Sequence, residues 1–232
     1  MECYLRSPLR NELIFSKQKE YMMSAVLEQI KESLMKGKAN DVKVLVQQAL
    51  NENIGAADIL NKGLLGGMGI IGERFKKNEV YVPEVLIAAR AMKAGMEILK
   101  PALAAAKVEP RGVVVIGTVK GDLHDIGKNL VGMMLEGGGF KVVDAGINVE
   151  PAKFIELARA NNASLIGASA LLTTTMTNMK EIVVALKQSD LAGKVKVMIG
   201  GAPVTQAFCD EIGADGYAPD AASAADLAKK LA

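Results

Sequence analysis

The hydrophobic period of the chain changes near residue 107. From about Ser24 to Ala106 apolar residues recur at steps of three and four. Val26, Leu27, Ile30 and Leu34 begin the series, and Val42, Leu45, Val46, Ala49 and Leu50 continue it. A third set is Ile59, Leu60, Leu64, Leu65, Met68 and Ile71; a fourth is Val85, Leu86, Ala89, Met92, Met96 and Leu99. That spacing places one apolar stripe on each of four helices. Four amphipathic helices in so short a span bury their stripes against one another as a bundle. Ser24 and Asn40 are expected N-caps, and Pro83 suits a first helical turn.

Beyond the stretch "AKVEPRG" the apolar runs shorten and become β-rich: Val113–Thr118, Lys141–Asp144, Leu165–Ser169, Val195–Ile199 and a weaker run near Tyr217. Helical segments follow them at Ile126–Gly137, Pro151–Asn161, Thr175–Gln188, Val204–Gly213 and Ala221–Ala232. Strand–helix alternation with short loops predicts a parallel sheet covered on both faces. The expected fold is α/β: an N-terminal four-helix bundle cap, then a doubly wound, Rossmann-like domain on a parallel five-stranded sheet. Residues 1–21 read as a tail without periodicity, 22–106 as the cap, 107–112 as a linker and 113–232 as the sheet domain.

Composition narrows the chemistry. A net charge of +2 from 28 basic and 26 acidic residues, without a basic stripe, gives no footprint for nucleic acid. No apolar run approaches the ~18 residues of a membrane helix. Cys3 and Cys209 stand far apart without metal-ligand spacing, and a reduced, cytoplasmic chain is expected. The N-terminus lacks the apolar core of an export signal, and Met22 or Met23 is a candidate natural start as well as Met1.

Candidate chemistry concentrates in "GTVKGDLHDIGKNL", residues 117–130, which holds His124, the only histidine in the chain. It follows the first strand, where open parallel sheets bind ligands outside the strands' carboxyl ends. A lone histidine at a strand end is ordinarily a surface or core-edge residue; its flanks change that. Asp122 can accept a hydrogen bond from one ring nitrogen and leave the other free as a metal donor. With no second histidine or cysteine nearby, zinc would lack its usual ligands. One protein imidazole suffices where a macrocycle supplies the equatorial ligands, as in a cobalt corrin or a haem.

The run Asp122-x-His124-x-x-Gly127 resembles the corrinoid-binding signature of cobalamin-dependent methyltransferase proteins. Ser169-x-Leu171 in "GASALLTTTM" and Gly200-Gly201 in "IGGAP" follow later strands in the same order. Each alone is weak; the trio is specific. "NKGLLGGMGIIGERFKKNEVYVPEVLIAARAMKAGM" looks like the helical cap of the same family, so the resemblance covers roughly residues 24–232. The chain resembles the free-standing corrinoid methyl carriers of methanogen and acetogen systems, and is similar to the cobalamin-binding module of methionine synthase.

That resemblance implies a cofactor, cobalamin or a related corrinoid, whose cobalt alternates between Co(I) and methyl-Co(III). It implies His124 as the metal ligand, with Asp122 and Thr175 completing an axial-ligand chain. The nucleotide tail would enter the sheet past Gly200 and Gly201, with Ser169, Leu171 and Thr173 beside it. Gly121 and Asp125 would flank the histidine, and Gly216–Ala221 would line the far end. Bland roles compete: Gly127 suits close helix–sheet packing, Asp125 equally suits an N-cap, Ser169 and Thr173 suit loop caps, and the glycine pair suits a turn. Tyr81 stands where the family has an aromatic over the corrin; for Met68 and Met92 core packing is the simpler role. The stretch 106–112, with Pro110 and Gly112, is the expected hinge. Partners would be a substrate-specific methyltransferase, an acceptor methyltransferase serving tetrahydrofolate or coenzyme M, and a reductive activase. The chain is expected to have no turnover alone. A cobalamin sensor and an adenosylcobalamin mutase subunit are the rival readings; the first needs a helix-turn-helix segment and the second lacks this cap.

Overall fold

The computed structural model describes residues 24–232, so the tail, Cys3 and the candidate starts lie outside the described residues. Four helical stretches form the first half: α1 (24–35), α2 (Ala39–Asn51), a composite of α3 (Ala56–Asp58), a π-helical segment (Ile59–Leu64) and α4 (Leu65–Lys76), and α5 (Val82–Ala105). The apolar stripes meet as predicted: Ile30, Leu34, Val42, Val46, Ile59, Leu64 and Leu99 are fully buried. The helix starts differ from expectation in two places. Ser24 is already helical, and α2 begins one residue before Asn40, with Lys38 at the cap position. The chain reverses at Gly37, in the left-handed region at φ 68°, which brings the helix start forward. Pro83 does lie in the first turn of α5, while Pro101 is accommodated inside that helix.

The second half alternates strand and helix: β1 (Val113–Val119), α6 (Ile126–Gly137), β2 (Lys141–Val149), α7 (Pro151–Ala160), β3 (Leu165–Ser169), α8 (Thr173–Met176), α9 (Asn178–Lys187), β4 (Lys196–Gly200), α10 (Gln206–Ile212), β5 (Gly216–Ala218) and α11 (Ala221–Leu231). The five strands are parallel, in the order β2-β1-β3-β4-β5. The order reverses direction between β1 and β3, so the loops leaving those two strands part to opposite sides and open a crevice. His124 lies in the first of those loops.

Helices cover both faces. Phe154 and Ile155 of α7, Met179 and Ile182 of α9, and Cys209 of α10 pack with Val115, Ile166 and Val197 on one side. Gly117 makes room for Phe154, since a Cβ there would stand 2.8 Å from the ring. On the other side Leu135 of α6 and Ala224 and Ala228 of α11 cover Val114, Ile116 and Leu165. Full burial of a ring or branched chain of this kind contributes about 2 kcal/mol. The helical half docks on this second face: Leu130, Met134, Ala221, Ala222 and Ala225 join its core. Met68 is buried there against Gly137, and Met92 is also a core residue, the role simple packing favoured.

β2 departs most from prediction. It runs nine residues rather than four, and its register against β1 slips twice, between Ile116 and Gly117 and between Gly117 and Val119. The extra residues bulge its carboxyl half toward the histidine loop.

Candidate cofactor site

The loop after β1 is organised by one carboxylate. Asp122 is fully buried, and its two oxygens take five donors. Oδ1 accepts from the His124 backbone N–H at 3.1 Å and pairs with His124 Nδ1 at 2.7 Å. Oδ2 accepts from the backbone N–H groups of Leu171 at 2.8 Å and Leu172 at 3.3 Å, and from Thr175 Oγ1 at 2.7 Å. The Thr175 hydroxyl lies also 3.0 Å from the Leu172 carbonyl. Its single proton goes to the nearer and charged acceptor. Burial pushes the Asp122 carboxyl up, but the hydrogen bonds from Thr175, Leu171 and His124 outweigh it and hold the group well below the usual carboxylate range.

An ionised Asp122 accepts the proton of Nδ1 and thereby fixes the tautomer of His124. Nε2 is left with its lone pair and makes no hydrogen bond among the described residues. The ring is half exposed, at 51 %, and stands at the mouth of a cavity of about 620 Å³. The cavity runs beneath the loops after β1, β3, β4 and β5. Small residues such as Gly167, Ala168, Ala170, Gly200, Gly201 and Ala218 make part of its walls, beside larger ones such as Ile116, Leu130 and Met198. The glycine pair has no room for side chains. A Cβ on Gly201, whose φ is 134°, would fall 1.8 Å from the Ala170 carbonyl oxygen, and one on Gly200 3.1 Å from that of Ala218.

Of the residues singled out from sequence, His124, Asp125, Gly127, Ser169, Leu171, Gly200, Gly201 and Ala221 line this cavity. Asp122 and Thr175 lie below it, behind the imidazole. Gly121 forms the turn at φ 78°, Thr173 begins α8, and neither lines the cavity. Asp125 occupies the cap position of α6 but makes no side-chain cap; its carboxylate accepts from Asn129 Nδ2 instead. Tyr81 stands at the start of α5, 63 % exposed. From the helical half it is Phe75 that reaches the cavity wall.

Several residues at the site escaped sequence reasoning. Thr118, fully buried, donates from Oγ1 to the His124 carbonyl at 2.8 Å. Asn148 accepts from the Gly121 N–H at 2.7 Å and donates its own N–H to the Asp122 carbonyl. Asn178 donates to the Lys120 carbonyl at 2.7 Å. Lys128, 3 % exposed, pairs with Asp144 at 2.6 Å. Lys128 directly follows the Asp-x-His-x-x-Gly run, a local signal; Asn148 and Asn178 carry none.

The residues present fit a corrinoid. Around the imidazole the loops after β1 and β3 and the end of β2 present Leu123, Ile126, Ile147, Leu171 and Leu172, all exposed, which gives a flat ring an apolar bed. The groove of small residues suits an elongated tail. Among the described residues no group of three or more His, Cys, Asp or Glu could hold a metal ion, so a metal here needs ligands of its own.

Comparison with known proteins agrees. A family model described as "B12 binding domain" matches residues 112–226, and a second of the same description matches 26–100. The chain is 44 % identical over 207 residues to a dimethylamine corrinoid protein of Methanosarcina barkeri, covering 89 % of this chain and 97 % of that one. It is 40 % identical over 213 residues to a corrinoid protein of Desulfitobacterium hafniense, covering 90 % and 99 %. Among solved structures it resembles the methanol:cobalamin methyltransferase complex MtaBC of Methanosarcina barkeri, with a TM-score of 0.80 at 29 % identity over 89 % of this chain and 79 % of that one. A cobalamin-binding protein of Desulfitobacterium hafniense gives 0.74 at 31 %, over 89 % and 98 %. With both of its halves matched and its relatives covered almost end to end, the chain belongs to the B12-binding corrinoid proteins.

Proposed function

We propose that this protein carries a methyl group on a bound corrinoid, taking it from a substrate-specific methyltransferase and giving it to a second one. The observation that carries the reading is the His124 imidazole, held by buried Asp122 through Nδ1 and presenting Nε2 to the cavity. The bound corrinoid supplies a cobalt centre that accepts and releases the methyl group. The chain's own residues bind, orient and tune. Nε2 of His124 would hold the metal of that cofactor. Asp122 and Thr175 keep the ring in one tautomer and one direction. Gly200 and Gly201 would admit the tail, with Ser169, Leu171 and Ala221 beside its path; Thr173, which begins α8 outside the cavity, would not touch it, and Gly121, Asp125 and Gly127 would shape the loop around His124. Tyr81 would help to cover the bound cofactor.

The relatives' names bear on the partner: one is called a dimethylamine corrinoid protein and another is part of a methanol:cobalamin methyltransferase complex. Methylamines are therefore the first donors to test, with methanol, betaine and aryl methyl ethers after them. A reductive activase is the expected third partner. The two halves, matched by separate family models, would act as a cap and a binding domain joined through 107–112.

The test loads the protein with hydroxocobalamin, reduces it, and adds dimethylamine with a corrinoid methyltransferase of that specificity. Methylcobalamin should be recovered from the protein, and its Co(II) form should show nitrogen splitting from a protein imidazole in electron spin resonance. His124→Ala should remove the splitting and leave the circular dichroism unchanged. Loaded protein without protein-nitrogen splitting, or loaded protein that none of the four donor systems methylates, overturns the reading.

A further inference from the structure

The segment from Lys120 to His124 is pinned by its backbone at nearly every residue. Asn178 holds the Lys120 carbonyl, Asn148 holds the Gly121 N–H and the Asp122 carbonyl, and Thr118 holds the His124 carbonyl. Asn148 alone binds two successive residues, once through its side chain at 2.7 Å and once through its main chain at 3.0 Å. It does so from the left-handed region, at φ 52°, a conformation that asparagine tolerates better than most residues. It gets there because β2 gains two residues on β1 through its register slips. Without them the residue opposite the loop would be in ordinary extended backbone, with its polar groups directed along the ladder.

Gly121, which receives the side chain, is itself left-handed at φ 78° and immediately precedes Asp122. This turn therefore helps to set the direction of the Asp122 carboxylate, and so of the His124 ring, together with the donors from Leu171, Leu172 and Thr175. The second anchor of the same strand end is the Asp144 carboxylate, which takes Lys128 from α6 and the Gly146 N–H from the bulge. The bulged end of β2 is thus tied to both sides of the histidine: to Gly121 and Asp122 before it and to Lys128 after it.

We infer that Asn148 is a positioning residue for the His124 imidazole: by accepting from the Gly121 N–H in a left-handed conformation it sets the turn that aims Asp122 and His124. The inference rests on the reading of His124 as the metal ligand. It predicts a separation of two properties of one residue. Asn148→Gly keeps the left-handed backbone and loses the acceptor; Asn148→Asp keeps both; Asn148→Ala loses both.

Two measurements decide it. In apo-protein the Gly121 amide should exchange with solvent at least tenfold faster in Asn148→Gly and Asn148→Ala than in the unaltered chain, and stay protected in Asn148→Asp. In the Co(II)-loaded protein the fraction with protein-nitrogen splitting should fall at least threefold in Asn148→Gly and Asn148→Ala, and be restored in Asn148→Asp. Circular dichroism identifies a variant that does not fold, and Asn148→Gly and Asn148→Asp then carry the comparison. Wild-type splitting in Asn148→Gly, or loss of splitting in Asn148→Asp with Gly121 still protected, overturns the inference. Absence of splitting in the unaltered protein overturns the ligand reading instead, and with it the role assigned to Asn148.

Discussion

In the helical half the buried cross-helix contacts are apolar, with Leu34, Val42, Ile59, Leu64 and Leu99 together, and ion pairs stay on the surface, whether between near neighbours, as Lys36–Glu32 and Lys62–Asp58, or between helices, as Lys43 of α2 with Glu97 of α5. In the sheet half, four polar or charged side chains are buried among the described residues: Thr118, Asp122, Lys128 and Thr175. All four lie in or beside the loops after β1 and β3. Apolar packing is non-directional and tolerates small sliding of one element on another. A buried polar group tolerates only the arrangement that satisfies it. The difference teaches where the molecule must hold a geometry and where it must only hold together.

Replacing the organising carboxylate tests that contrast most severely. Asp122→Ala leaves several buried donors without an acceptor and is expected to destabilise the apo-protein by about 4 kcal/mol, measured by urea unfolding. It should also abolish protein-nitrogen coordination in the loaded form. If Asp122→Ala folds with wild-type stability, the buried network is not what holds the loop. The acid limb of stability gives the same test without a cavity. The Asp122 carboxyl has a folded pKa below its unfolded value, so its contribution is present above about pH 4 and is lost as pH falls through the folded value. Asp122→Asn should therefore flatten the fall in apo-protein stability below about pH 4.

A pair of glycines sets the two halves side by side at smaller cost. A Cβ on Gly201 meets backbone, the Ala170 carbonyl at 1.8 Å, while one on Gly95 meets the side-chain ends of Val42 at 2.8 Å and Leu64 at 2.9 Å. Gly201→Ala also has to adopt a φ of 134°, so about 3 kcal/mol is expected. Gly95→Ala displaces methyl groups that can turn away and gains helix propensity, so about 1 kcal/mol or less is expected. Equal losses in thermal unfolding would mean that the helical core is as unyielding as the groove.

These sites differ in how far the sequence reveals them. The helical half is legible because a buried stripe repeats every three to four residues, and the strands β1 and β3 because their apolar runs are unbroken. Asp122, His124 and Thr175 are legible through a motif and its resemblance, and the hydrogen bonds between them follow from residue type. The carboxyl half of β2 is not legible. Gly146 and Asn148 read as turn residues, and only the register slip against β1 makes them part of a strand that reaches the loop. Asn178 and Phe75 are hidden for a related reason: their role is set by which helix faces the crevice, which local pattern does not encode. The cap position of Asn40 is lost to a left-handed glycine three residues earlier, whose effect on the helix start is conformational.

The smallest expected effect lies at the exposed start of α5 in the helical half. Tyr81 is exposed, and the hydrogen bond that starts α5 runs from its backbone N–H to the Glu84 carboxylate at 3.1 Å, so the side chain is not needed for it. Tyr81→Ala should change apo-protein stability by less than about 0.5 kcal/mol. Phe75→Ala removes a ring that is packed with the helical core and lines the cavity, and about 2 kcal/mol is expected. If Tyr81 shields the upper face, its loss must appear elsewhere, as faster air oxidation of the reduced, loaded protein at unchanged stability. An unchanged oxidation rate in Tyr81→Ala together with a faster one in Phe75→Ala would move the shielding role from the start of α5 to α4, where the described structure already brings an aromatic ring to the cavity.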